Sequence, residues 1–121
     1  MKIITNDLGA DRMDRVQQIA PQANFMITTD HQHTLREIAD ADVLWGHRIT
    51  PELIDQAPKL RWVQVSHVGV EALMFPELVN SDIVLTNARG TTGINIAEHV
   101  MALILAFGRT LHITVKRQME K

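Results

Sequence analysis

The sequence predicts an α/β fold: a five-stranded parallel sheet with helices on both faces, extended by an apolar C-terminal connector helix. Three observations carry this. Short runs rich in β-branched or aromatic residues recur along the chain, at Lys2–Thr5, Asn24–Thr28, Asp42–Trp45, Trp62–Val65 and Ile83–Leu85. Segments with helical spacing of apolar residues lie between them, the pattern of a parallel sheet built by crossover helices. From Val100 to Phe107 every residue is apolar, more than a helix covering one sheet face requires.

The elements follow in order. Lys2–Thr5 ends at the turn-forming residues Asn6, Asp7 and Gly9. From Asp11 to Ala20, Met13, Val16, Ile19 and Ala20 share one helical face, and Pro21 stops the helix. Phe25, Met26 and Ile27 form the second strand. Leu35, Ile38 and Ala39 mark a short helix over Thr34–Ala39, with His31-Gln32-His33 as a solvated loop before it. The third strand closes at Gly46. Thr50-Pro51 opens a helix, because threonine can cap it and proline sits where an N–H would lack a partner. The fourth strand breaks into Ser66-His67-Val68-Gly69, and a helical piece over Glu71–Met74 leads to the fifth. Asn95 is expected to cap the last helix, with Glu98 reaching back.

Strands and helices in this order make a flavodoxin-like sheet, whose ligands bind beyond the carboxyl ends of the strands. Gly46, Ser66–Gly69 and Asn87–Gly90 all fall at those ends, with Trp45 and His47 beside them. The predicted division is a sheet domain over residues 1–93 and a connector helix over 94–121. Two helical turns without a polar face require burial on all sides, by a second domain or a second copy of the chain.

Composition narrows the function. At 121 residues the chain can bury one substantial core, and its 45% hydrophobic and 21% charged content is that of an ordinary globular protein and argues against disorder. The net charge of −2, with scattered basic residues, argues against nucleic-acid and membrane-surface partners. With no cysteine, disulfides and thiolate chemistry are excluded, and a reducing compartment fits. Met1–Ile4 is too brief for a signal-peptide core and Val100–Phe107 too short to span a bilayer, so the cytoplasm is the expected location. His31 and His33 lack a cysteine or clear third ligand, so no metal is expected.

Four motifs then carry a resemblance. Pro58–Gln64, Val68-Gly69-Val70-Glu71, Leu85–Gly90 and Ile96-Ala97-Glu98-His99, in this order and spacing, resemble the D-isomer-specific 2-hydroxyacid dehydrogenases over about half of the chain. The resemblance implies the N-terminal substrate-binding part of an NAD- or NADP-dependent enzyme that interconverts a 2-keto and a 2-hydroxy acid. It also implies a substrate carboxylate held by the backbone N–H groups of Val68 and Gly69, with Thr92 facing the substrate. Asn95 and Ile96 fall where relatives touch the cofactor, and the helix over 95–109 where the family dimer packs. Trp45 is a further candidate for the substrate pocket, at a strand end near the proposed crevice. His67 and His99 match no catalytic histidine of the family and are read as structural.

The departures are as informative. No G-x-G-x-x-G occurs; Gly90 and Gly93 are the closest approach to that fingerprint. The family's catalytic arginine, acid and histidine lie in segments beyond these 121 residues, so the chain by itself is expected to be inactive. The alternative is a non-catalytic binding or assembly module with the same fold.

Overall fold

The computed structural model describes residues 1–120, which form two compact units, Met1–Ala88 and the helices from Arg89 onward. In the first unit, β1 (Lys2–Thr5), β2 (Asn24–Ile27), β3 (Val43–Trp45), β4 (Trp62–Gln64) and β5 (Val84–Thr86) form one all-parallel sheet of order β2-β1-β3-β4-β5. Between them run α1 (Ala10–Ile19), α2 (His31–Glu37), α3 (Pro51–Asp55) and α4 (Pro76–Val79), with 3₁₀ turns at Ile38–Asp40 and Glu71–Leu73. The predicted five-stranded α/β sheet is the observed one.

The pleat sorts side chains into rows. Met26, Ile4, Leu44, Val63 and Leu85 are register partners across all five strands. This row packs against Ile38, Leu53 and Leu78 from the α2, α3 and α4 side, and forms the main core. Because side chains alternate along a strand, Ile3, Phe25, Val43 and Trp62 point the other way. There Ala20, at the end of α1, and Phe25 pack against Ile3 and Val43, while Ile19 is 82%, Trp62 43% and Val84 58% exposed. The two faces are thus unequally covered, the β4–β5 half of the second being open.

Helix starts follow their caps. Thr50 Oγ1 accepts from the Leu53 N–H at 3.3 Å and Pro51 takes the first helical position, as predicted. The loop expected at His31-Gln32-His33 is instead the first turn of α2. Asp30 caps it by accepting from the His33 N–H at 2.8 Å. That bond holds the Asp30 carboxyl below its ordinary pKa of 3.8. The helix α4 had no capping side chain before it to announce it, only Pro76 at its start. The fifth strand lies one residue later than predicted, since Val84 pairs with Trp62 and leaves Ile83 against the core.

Lys2 ties the start of β1 to the end of α2. Its Nζ donates to the Asp40 carboxylate at 2.6 Å, to the Glu37 carbonyl at 2.8 Å and to the Glu37 carboxylate at 3.0 Å. Burial alone would lower the lysine pKa; the bonds to Asp40 and Glu37 outweigh it and raise it above 10.5. The bond from Lys2 in turn holds Asp40 low.

The second unit holds α5 (Gly93–Gly108) and α6 (Leu111–Met119). The expected cap at Asn95 is incorrect. The cap position lies three residues earlier, at Thr92, whose carbonyl accepts the Ile96 N–H at 3.0 Å, so Asn95 lies inside the first turn. The single connector helix is also corrected: Thr110, at φ 52°, turns the chain left-handed and separates α5 from α6. Phe107 and His112 pack across that break with ring centroids 5.2 Å apart. No described residue of α5 is buried within the chain. No single helix is long and apolar enough to cross a membrane; α5 and α6 reach that length only together, and they are bent by 68°.

Candidate functional site

In the order β2-β1-β3-β4-β5, the chain runs outward from β1 in both directions, so the sheet's switch point lies between β1 and β3. Loops leaving neighbouring strands part there and open a crevice at the carboxyl ends. A cavity of about 450 Å³ occupies that place, lined by Asn6 after β1, Trp45 at the end of β3, Ser66 after β4, and Arg12 and Arg15 from α1. Gly46 makes the crowding possible. Its φ is +79°, and a Cβ there would sit 2.7 Å from Asn6 Oδ1.

The turn after β4 is pinned from one side. The His67 carbonyl accepts from the Ala88 N–H at 3.1 Å, and the Val68 carbonyl from Asn87 Nδ2 at 2.6 Å. The Gly69 carbonyl is bonded by the His67 ring. A carbonyl can only accept, so His67 Nδ1 carries the proton and the imidazole braces the turn. All three carbonyls are therefore engaged. The N–H groups of Val68 and Gly69 make no hydrogen bond to any described residue, and both residues are exposed. Two successive N–H donors left open, with their carbonyls tied back, are groups that could donate to a carboxylate. Gly69 does not need a positive φ; what the glycine supplies is room.

Other sequence candidates sort by their contacts. Trp45 and Ser66 line the same crevice. His47 does not; its Nε2 lies 3.1 Å from Thr28 Oγ1. Thr28 and Thr34 hydroxyls are 2.8 Å apart, and Thr34 donates to the Asp30 carbonyl at 2.9 Å. That last bond fixes the direction of the chain, with His47 Nε2–H donating to Thr28 and Thr28 to Thr34. His47 thus closes a buried polar network at the end of β2. Thr92, Asn95 and Ile96 belong to the second unit, where Thr92 precedes α5 without a side-chain capping bond and Asn95 and Ile96 stand exposed in its first turn. Among the described residues no three His, Cys, Asp or Glu side chains gather as a metal site.

Sequence reasoning passed over Asn6, Arg12 and Arg15 as site residues. The spacing of the two arginines, three apart on a helix, was a visible signal. Their place beside Trp45 and Ser66 was not, because it depends on which strands become neighbours.

The fold is an open, all-parallel α/β sheet with a crevice at its switch point. The profile of the D-isomer specific 2-hydroxyacid dehydrogenase catalytic domain matches residues 2–119, and the chain belongs to that family. Among curated relatives, D-3-phosphoglycerate dehydrogenase of Methanocaldococcus jannaschii is 27% identical over 112 residues, 90% of this chain and 21% of its own length. A D-isomer specific 2-hydroxyacid dehydrogenase family protein from Aeromonas salmonicida superposes with a TM-score of 0.75 at 23% identity, over 98% of this chain and 39% of that one. The NAD-dependent formate dehydrogenase from Staphylococcus aureus, solved in complex with NAD, gives 0.69 at 19% identity over 88% and 38%. The chain spans about a fifth of the curated relative and two fifths of the solved neighbours.

Proposed function

We propose that this chain is the substrate-binding part of an NAD(P)-dependent D-2-hydroxyacid dehydrogenase, and that Val68 and Gly69 hold the carboxylate of a small 2-keto or 2-hydroxy acid. The observation that supports this is the pair of open N–H groups beside three engaged carbonyls. Trp45 and Thr92 are assigned to the substrate, Asn95 and Ile96 to the cofactor. These last two side chains are exposed on one helical turn. They can touch one side of a dinucleotide but cannot enclose it, and the sequence has no G-x-G-x-x-G. When bound, the nicotinamide supplies the hydride acceptor or donor. This chain's part is to hold and orient the acid. A reducing, cytoplasmic setting suits a cysteine-free enzyme of this kind.

Pyruvate, the minimal 2-keto acid, tests the reading. Added to the ¹⁵N-labelled 121-residue chain, it should move the Val68 and Gly69 amide resonances saturably, with a Kd on the order of 1 mM. Undisturbed amides at those two positions would refute the carboxylate assignment. The same chain should consume no NADH with any 2-keto acid; measurable turnover would show that the hydride-transfer groups are already present.

The same reading assigns α5 to a homodimer. Val100, Leu103, Ile104 and Phe107 are between 45% and 65% exposed, too much apolar surface to leave in water. Sedimentation equilibrium should show concentration-dependent dimers. A monomer at high concentration whose α5 amides resist hydrogen exchange would count against it.

A further inference from the structure

The crevice beside the turn carries two cations with no ion-pair partner among the described residues. Arg12 and Arg15 stand three residues apart on α1, and both line the cavity of about 450 Å³. Neither makes an ion pair or side-chain hydrogen bond with a described residue. The lining holds one carboxylate, Asp7, and it is committed to its own loop, its Oδ1 accepting the Gly9 N–H at 2.8 Å. Helix stability does not explain Arg12 either. Arg12 is the third residue of α1, where a cation opposes the helix dipole.

The rest of the lining supports a ligand rather than a salt bridge. Val16, Ile19 and Trp45 form an apolar wall, and Asn6 and Ser66 add polar groups at the strand ends. Ser66 is two residues before Val68, which places the crevice within about 7 Å of chain from the open N–H groups. Guanidinium groups suit carboxylate and phosphate oxygens because they offer paired donors in one plane.

We propose that Arg12 and Arg15 bind a second anionic group, a carboxylate or a phosphate, so that the acid held by this chain is dianionic. Calling that ligand the substrate rests on the reading of Val68 and Gly69 above. The anion site rests on the crevice alone.

The test is a set of three titrations of the full ¹⁵N-labelled chain, with inorganic phosphate, malonate and pyruvate. Phosphate or malonate should move resonances of Asn6, Arg12, Arg15 and Ser66. The double substitution Arg12→Gln/Arg15→Gln should weaken that binding at least about tenfold, while the pyruvate shifts at Val68 and Gly69 remain. Tighter binding of phosphate assigns a phosphate ester, and tighter binding of malonate a dicarboxylate. Both arginines are exposed, so the fold should survive the change. A thermal melt checks this, and the single change Arg15→Gln, expected to lose part of the affinity, serves if the double variant melts early. Absence of crevice shifts with both anions, or unchanged affinity in the variants, would overturn the proposal. Loss of the pyruvate response alone refutes the Val68–Gly69 reading and leaves the anion site standing.

Discussion

Gly46→Ala is expected to destabilise the sheet unit by about 2–4 kcal/mol. Two costs combine at this position. The backbone φ of +79° is one that an L-residue adopts only with strain, worth about 1–2 kcal/mol. The added Cβ would also lie 2.7 Å from Asn6 Oδ1 and 3.2 Å from its Cγ, so the Asn6 side chain must move. Gly46 follows β3, and its N–H donates to the Gln64 carbonyl at 2.9 Å, so the backbone cannot simply swing away. Against a total stability of about 5–15 kcal/mol, the loss is a large share. In urea the midpoint should fall by about 1–2 M, with the slope unchanged. A midpoint within about 0.2 M of the parent protein would show that the loop relaxes freely, and the account of Gly46 would fail. Because Asn6 also lines the crevice, surviving variant protein should bind anions more weakly.

Gly69→Val separates the other way. The turn is exposed, its φ lies outside the left-handed region, and a Cβ would meet the Glu71 carboxylate at 2.9 Å. That oxygen is the free end of an exposed side chain and can yield. Stability should therefore change by less than about 1 kcal/mol. Binding of a carboxylate at the open N–H groups requires close backbone approach, and a branched side chain crowds it. The saturable pyruvate response is expected to disappear, a loss of more than about tenfold in affinity. If instead the variant binds pyruvate as the parent does, the turn is not the carboxylate site. Together the two glycines give a sharp contrast: substitution of Gly46 is expected to cost stability, and substitution of Gly69 affinity.

The contrast was not available from residue type. Both glycines follow a predicted strand, and both fall at the sheet end where a site was expected. Only the backbone angle and the neighbours of each distinguish them. The same limit applied to His47 and Trp45, two residues apart at one strand end. Trp45 reaches the crevice, whereas His47 turns to Thr28 and closes a buried network. His67 was read as structural, and its bond to the Gly69 carbonyl agrees.

Local chemistry was legible where it acts over a few residues. The strands, the start of α3 at Thr50-Pro51 and the apolar character of α5 follow from spacing and capping groups close in sequence. Errors arose where two local signals competed. Asn95 with Glu98 offered a plausible cap, yet the chain begins its helical bonds at Thr92, and Gly93 presents no side chain to oppose that. At His31 the cap lay one residue earlier than the stretch in question, in Asp30.

The sequence by itself determined the class of the fold, the family, and the turn at Val68 and Gly69, because periodicity and short motifs are properties of neighbouring residues. The tertiary structure decided which strands lie side by side, and with that what faces the crevice. Parallel pairing joins residues tens of positions apart, such as Ile3 with Val43 and Val43 with Trp62. Arg12, Trp45 and Ser66 come together only through that pairing, so no local reading could have assembled them.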